Sequence, residues 1–259
     1  MRSIIVGISL LLLFCNYSFA QGSDSLVYES KLLIAAEDMP VSNGQLIVLP
    51  QKGLFIADGN TFYSLDTEEC PHVEKFRILE DIPFDQVIVN DNEFIVKSQQ
   101  FMLILGGEKT EILAEFDTED YSLFSGVDSV INVVVREEGN FCTLYKYDRR
   151  TGDLDNIMRL PENIKKIVAG NKMDFYLLEK GIYYLYDTES GELATSEQPI
   201  LDMILLPDGL MFCTETMLYL INDDGVVPLM EGSFHGLQND GHVIYITLQN
   251  GNIWKMKGN

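Results

Sequence analysis

Two stretches of the sequence match closely, YDRRTGDL (residues 147–154) and YDTESGEL (residues 186–193). Both read Tyr-Asp, two variable residues, Thr or Ser, Gly, an acidic residue and Leu, and they start 39 residues apart. Asp accepts hydrogen bonds from amides two residues further along, and Gly adopts positive φ at no steric cost. We therefore predict two β-hairpins, each preceded by a packed strand that ends in Tyr, with Gly152 and Gly191 at positive φ, and not a duplicated active site.

The spacing of these hairpins extends along the whole chain. Segments that align with the strand before each hairpin recur six times, and their last residues are separated by steps of 40, 42, 39, 35 and 35 residues. An apolar strand, a turn rich in Asn, Asp and Gly and a second apolar strand precede each segment, and another strand follows it in the first five units. Four antiparallel strands in about 40 residues are typical of a β-propeller blade. The aligned segments are TFYSLD (61–66), QFMLILG (100–106), TLYKYD (143–148), IYYLYD (182–187), MLYLIN (217–222) and NIWKMK (252–257).

The sixth unit ends at Asn259, after its third strand. Near the N-terminus, KLLIAAEDMP (31–40) is similar to KFRILEDIPF (75–84), the fourth strand of the first unit. We predict that residues 31–38 supply the missing strand, because closing the ring removes an exposed sheet edge. The predicted fold is all-β: a six-bladed β-propeller of four-stranded antiparallel blades, forming one domain over residues 31–259.

On these hairpins and repeats, the sequence resembles the six-bladed β-propellers of exported bacterial proteins, with TolB, NHL or quinoprotein-like repeats. The resemblance implies the fold and leaves the function open, since propellers have many functions. Quinoprotein repeats carry a tryptophan soon after the hairpin, but here the single tryptophan, Trp254, lies elsewhere in its blade. No quinone and no other cofactor is expected.

The N-terminus has the pattern of a signal peptide. Arg2 is followed by the uncharged apolar run Ile4–Phe14 and by small residues up to Ala20. This run is too short to span a membrane, which takes about 20 residues. We predict a signal peptide over 1–20, a lead-in over 21–30, no membrane span after cleavage, and a periplasmic or extracellular protein. Lipid modification at Cys15 is the alternative.

The chain is strongly acidic, with 40 Asp and Glu against 18 Lys and Arg and a net charge of −22. Such a protein repels nucleic acid. The expected partner is a protein or a glycan, and the expected oligomeric state is a monomer.

No metal site is predicted. Cys70, Cys142 and Cys213 lack metal-type spacing with histidine, and the last two lie in apolar strand patterns as buried small hydrophobes. Acidic stretches such as residues 66–69 and 117–120 are expected in turns between third and fourth strands. They do not match the loop pattern of calcium sites, so calcium is only the alternative interpretation.

The sequence contains no GxSxG, HExxH or phosphate-binding glycine loop, and no catalytic residue is assigned. Propeller sites usually lie where loops lead into the innermost strands, around the central channel. The candidate ligand-binding residues there are Asp85, Tyr121, Lys166, Asp202 and His235.

These observations leave two hypotheses. The first is a binding module that holds a protein or glycan on the channel-mouth face. The alternative is a lyase or hydrolase that acts on a carbohydrate or a small polar substrate, with carboxylates, Lys166 and His235 as its machinery. The lack of any catalytic signature favours binding.

Overall fold

The computed structural model describes residues 28–39, 45–49, 53–58, 61–65, 73–77, 83–105, 110–139, 141–160, 164–186 and 189–258. These residues form six sheets of four antiparallel strands, arranged as the blades of a ring. The predicted all-β, six-bladed propeller is therefore confirmed. The predicted signal peptide and its cleavage site lie outside the described residues.

Strands are numbered in chain order, and consecutive strands form each of the first five blades. The first strand, β1 (Tyr28–Ile34), is followed by a short 3₁₀ helix (Ala36–Asp38). Blade 1 contains β2 (Gln45–Leu49), β3 (Gly53–Asp58), β4 (Thr61–Leu65) and β5 (Val73–Arg77). Blade 2 contains β6 (Gln86–Asn90), β7 (Glu93–Ser98), β8 (Phe101–Leu105) and β9 (Thr110–Glu115). Blade 3 contains β10 (Tyr121–Ser125), β11 (Val130–Arg136), β12 (Cys142–Asp148) and β13 (Leu154–Leu160). Blade 4 contains β14 (Lys166–Ala169), β15 (Asp174–Leu177), β16 (Gly181–Tyr186) and β17 (Glu189–Thr195). Blade 5 contains β18 (Asp202–Leu206), β19 (Gly209–Cys213), β20 (Met217–Asn222) and β21 (Gly225–Glu231). Blade 6 contains β22 (Phe234–Asn239), β23 (Ile244–Leu248), β24 (Ile253–Gly258) and, outermost, β1.

The ring closes through β1, which pairs antiparallel with β24 from Tyr28 opposite Gly258 to Ile34 opposite Ile253. The predicted closure by an N-terminal strand is confirmed. Its bounds differ, because the strand begins at Tyr28, within the predicted lead-in, and residues 36–38 form the 3₁₀ helix.

The hydrophobic core is divided among the six interfaces between neighbouring blades. Each buried cluster combines side chains from two adjacent blades, including blades 6 and 1. One position of every third strand is at most 1% exposed and anchors these clusters. Burying such a side chain stabilises the fold by roughly 1.5–3 kcal/mol. The six equivalent residues are Phe62, Met102, Leu144, Ile182, Leu218 and Ile253.

The outer strands share a second repeated feature, a one-residue β-bulge. In blades 2 to 6 the pairing of the third and fourth strands skips one apolar residue of the fourth strand. A bulge increases the local twist of an outer strand, and its recurrence in blade 6 shows that β1 is a normal fourth strand. The skipped residues are Leu113, Ile157, Leu193, Leu229 and Leu33.

The two hairpins that set the repeat are one residue out of register with each other. Leu144 and Ile182 are equivalent, so the position of Tyr147 in blade 3 is taken in blade 4 by Leu185. Tyr147 and Leu185 are buried, whereas Tyr186 is 54% exposed. The prediction of a packed tyrosine before each hairpin is right for Tyr147 and wrong for Tyr186, because burial sets the register and the matching letters do not.

The glycines of the two hairpins also differ. Gly152 has a φ of +77°, and Asp148 accepts a hydrogen bond of 2.8 Å from the amide of Arg150, as predicted for that turn. Gly191 lies inside β17 without a left-handed φ, so the prediction of positive φ is wrong there. A Cβ at Gly191 would lie 2.6 Å from the ring of Tyr184, and close packing is what requires glycine. The aspartate of YDTESGEL lies outside the described residues.

Arg149 of the first hairpin joins blade 3 to blade 2. Its guanidinium donates to the main-chain oxygen of Asn90 at 3.2 Å and to the side-chain oxygen of Asn90 at 3.1 Å. It also forms an ion pair with Glu93, and the Arg149 side chain is only 12% exposed. This turn is therefore an inter-blade contact as well as a hairpin.

Candidate functional site

The innermost strands β2, β6, β10, β14, β18 and β22 surround a central cavity of about 650 Å³. This volume is in the range of small-molecule sites. The end at which these strands begin is called the channel mouth here. One equivalent position of the six strands forms a ring at the mouth: Gln45, Gln86, Ser122, Lys166, Asp202 and Gly236.

Two glutamines of the ring fasten neighbouring blades to each other. An innermost strand is an edge strand, so its outward N–H and C=O groups need partners from outside its own sheet. Gln45 donates to the carbonyl of Val87 at 2.7 Å and accepts from its amide at 3.3 Å. Gln86 bonds the carbonyl of Leu123 at 2.6 Å and its amide at 2.8 Å. Each amide side chain thus continues the pairing of the next blade's edge.

Lys166 and Asp202 together form a similar contact to blade 6. They make an ion pair of 2.5 Å, and their side chains are 23% and 15% exposed. The other oxygen of Asp202 accepts from the amide of Leu237 at 2.7 Å, and Lys166 lies 3.5 Å from the carbonyl of Leu237. The carboxylate and the ammonium therefore bond the main-chain N–H and C=O of Leu237, as a single glutamine amide bonds those of Val87 or Leu123.

Two edges at the mouth lack such a contact. Ser122 is short and Gly236 has no side chain, so neither spans to the next blade. Within the described part of the chain, no side chain bonds the main chain of Ile167 or Leu46, the residues equivalent to Val87. Among the described residues, their outward groups therefore have no side-chain partner from the neighbouring blade.

Asp85 and Tyr121 meet through Lys97. The Lys97 ammonium lies 3.8 Å from the carboxylate of Asp85 and 5.0 Å from the centre of the Tyr121 ring. Asp85 is exposed, whereas Tyr121 packs between blades 2 and 3 and is 2% exposed. Burial, and secondarily the charge of Asp85, raise the pKa of the Tyr121 hydroxyl well above its usual range.

His235 lies exposed at the start of β22. The pairing of β22 with β23 passes from Phe234 directly to Gly236, so His235 is the bulged residue. A Cβ at Gly236 would lie 3.4 Å from the carboxylate of Asp202. The structure thus pairs Lys166 with Asp202, pairs Asp85 with Tyr121 through Lys97, and sets His235 one residue from the mouth ring.

Sequence reasoning missed Gln45 and Gln86, although a signal was present. Both begin innermost strands with nearly the same letters, QLIVL and QVIVN. A glutamine side chain can bond many kinds of group. The repeated glutamine therefore indicates an inter-blade contact only once the edge of the next blade is known to lie beside it.

The cysteines and charged groups suggest no metal centre in the described ranges. No three His, Cys, Asp or Glu side chains there lie close enough to hold a metal ion, and calcium binding stays untested. Cys142 and Cys213 are buried, as predicted, and Cys70 lies outside the described residues. Burial, and then the charge of Asp202, raise the pKa of the Cys213 thiol to about 12.

Among the described residues, no helix is long and apolar enough to span a membrane.

No protein-family model matches the sequence, and no curated protein matches it. Solved structures do. Regucalcin, a calcium-binding protein of Agrobacterium tumefaciens, has a TM-score of 0.65 at 10% identity, over 90% of this chain and 96% of that chain. A catalytically inactive virginiamycin B lyase of Staphylococcus aureus, with quinupristin, has a TM-score of 0.60 at 11% identity, over 85% and 83%. BBS1N in complex with ARL6DN has a TM-score of 0.51 at 13% identity, over 80% and 74%. At these identities the similarity establishes the β-propeller fold and nothing more specific.

Proposed function

We propose that this protein is an exported binding module that holds a protein or glycan partner at the channel mouth. The proposal rests on the contacts of Lys166 and Asp202, whose side chains bond each other and the main chain of Leu237. A general acid or base needs a group that is free to exchange a proton with the substrate. A pair held in this way instead gives a fixed polar surface, which binds a partner without first having to become ordered.

The open edges at Ile167 and Leu46 give such a partner somewhere to bond. Main-chain N–H and C=O groups pair equally well with a peptide or with sugar hydroxyls. Asp85 and His235 add exposed polar groups at the rim of the same face. Propellers do bind proteins, as the complex of BBS1N with ARL6DN illustrates for that protein.

The second candidate is an enzyme, a lyase or hydrolase that acts on a carbohydrate or a small polar substrate in the channel. One observation favours it. His235 is an exposed imidazole next to the ring residue whose Cβ position lies 3.4 Å from Asp202. A histidine near a carboxylate at a cavity mouth is a common general base. The lyase of Staphylococcus aureus shares the fold.

The test uses two matched histidine variants. His235 and His242 are both exposed and lie at opposite ends of blade 6. The wild type, His235→Ala and His242→Ala are used for affinity capture from the native host's envelope fraction, for a glycan array, and for turnover of an oligosaccharide panel. We expect capture or glycan binding by the wild type and by His242→Ala, with a loss in His235→Ala.

The outcomes separate the two functions. Equal binding by all three proteins would move the site away from the channel mouth. Turnover that is lost only in His235→Ala would replace the binding function with the enzymatic one. N-terminal sequencing of the native protein tests export separately, since cleavage after Ala20 leaves Gln21 as the first residue.

A further inference from the structure

A second cavity, of about 340 Å³, lies between blades 3 and 4 at the face opposite the channel mouth. It is called the blade 3–4 pocket here. Strands β11 and β12 line one side, and the turn from β14 to β15, with Gly170 and Asn171, lines the other. Its volume is at the lower end of the range for small-molecule sites.

The amide of Asn132 is the unusual group of this pocket. Asn132 is 0% exposed, and neither its side-chain oxygen nor its side-chain nitrogen has a hydrogen-bond partner within the described residues. Buried polar groups are nearly always paired, because an unpaired one loses its bonds to water without replacement. The missing donor and acceptor therefore point to a partner from outside the chain.

An ion pair crosses the pocket from one blade to the other. The Lys146 ammonium lies 2.7 Å from the carboxylate of Asp174, and the two side chains are 38% and 10% exposed. Lys146 lies directly opposite Asn132 in the ladder of β11 and β12, so both side chains are on the same face of blade 3. The pocket thus combines a neutral amide with a charge pair that is already balanced.

We propose that the blade 3–4 pocket binds a small neutral polyhydroxy compound of monosaccharide size. A hydroxyl both donates and accepts, so adjacent hydroxyls can satisfy both atoms of the Asn132 amide and bond Lys146 and Asp174. An anion would compete with Asp174 for Lys146 and meet a chain of net charge −22. A cation would find the carboxylate of Asp174 already paired. Because Asn132 is fully buried, binding at its amide requires the half-exposed Lys146 side chain to turn aside.

The test measures binding of D-glucose, D-galactose, D-mannose and myo-inositol by saturation-transfer NMR and calorimetry. Asn132→Leu keeps the side-chain size and removes the amide. Asn156→Leu, at an exposed position of β13 in the same blade, is the matched control. Lys146→Gln is a second variant, which weakens the site without altering the buried position.

We expect at least one of these compounds to bind the wild type and Asn156→Leu with the same affinity. Losing the amide bonds weakens binding about tenfold or more in Asn132→Leu. Lys146→Gln shows a smaller loss.

Three results would overturn the proposal. The first is no binding of any of these compounds by the wild type, which would mean that the pocket holds water alone. The second is binding that survives Asn132→Leu, which would put the ligand elsewhere. The third is binding of chloride, phosphate or glycine in place of the neutral compounds, which would refute the ligand class. The His235 variants leave all of these outcomes unchanged, so this inference stands or falls apart from the proposed function.

Discussion

Replacing Gln86 with leucine tests whether the glutamine contacts hold the ring together. The Gln86 amide makes two hydrogen bonds to the main chain of Leu123, of 2.6 and 2.8 Å. A hydrogen bond of this kind contributes about 1 kcal/mol net. Because the freed main-chain groups face the channel, water can replace part of what is lost, and the expected decrease in the free energy of unfolding is about 2 kcal/mol. For a domain of this size that lowers the melting temperature by roughly 4–8 °C.

The assay is urea and thermal unfolding followed by far-ultraviolet circular dichroism. Gln238→Leu is the matched control, because Gln238 lines the same channel and its side chain forms no hydrogen bond with the described residues. We expect the control to unfold within about 0.5 kcal/mol of the wild type. A Gln86→Leu protein as stable as the wild type, or a control that loses as much, would refute the reasoning that this amide joins the blades.

Three further predictions concern other contacts. Arg149→Met should lower the free energy of unfolding by about 2–3 kcal/mol, because it removes the two hydrogen bonds to Asn90 and the ion pair with Glu93. The adjacent Arg150→Met, at a side chain that is 66% exposed, should cost less than about 0.5 kcal/mol. Equal losses of the two variants in urea titrations would contradict the contact between blades 2 and 3. The thiol of Cys213 has a pKa raised from 9.0 to about 12, so its contribution to stability is present below pH 9 and is lost as pH rises toward 12. Iodoacetamide at pH 8 should modify Cys213 only after unfolding, and rapid labelling of Cys213 in the folded protein would count against its burial. Deleting residues 21–35 removes β1 and exposes the edge of β24, so we expect concentration-dependent association in analytical ultracentrifugation, whereas a stable monomer would show that β1 does not protect the last blade.

The number of blades could be predicted because every blade is a sheet of four strands of similar length. The third strands therefore recur at nearly constant spacing, and the N-terminal strand could be matched to the gap in blade 6. The register within blade 4 could not be predicted as well. The letters of YDTESGEL aligned Tyr186 with Tyr147, whereas the buried position is Leu185. The chain follows the burial of its apolar residues, and similar turn letters do not constrain it.

For the candidate site, the sequence predicts where Lys166 and Asp202 lie in the blades but not which groups they contact. Lys166 and Asp202 were identified because they begin innermost strands, and the structure brings them together. Their contact with Leu237, two blades from Lys166, depends on how the ring packs. Nothing in the local sequence of β14 or β18 carries that information.

The sequence by itself determined the all-β class, the six repeats, the closing strand and the acidic character of this protein. These follow from hydrophobic periodicity, turn chemistry and charge, which act over a few residues along the chain. The tertiary structure alone decided that Arg149 joins two blades, that Gln45 and Gln86 complete their neighbours' edges, and that the amide of Asn132 lies in a pocket without a partner among the described residues. Those features arise where strands distant in sequence meet, and hydrogen bonding across a blade interface depends on distances that only the closed ring sets.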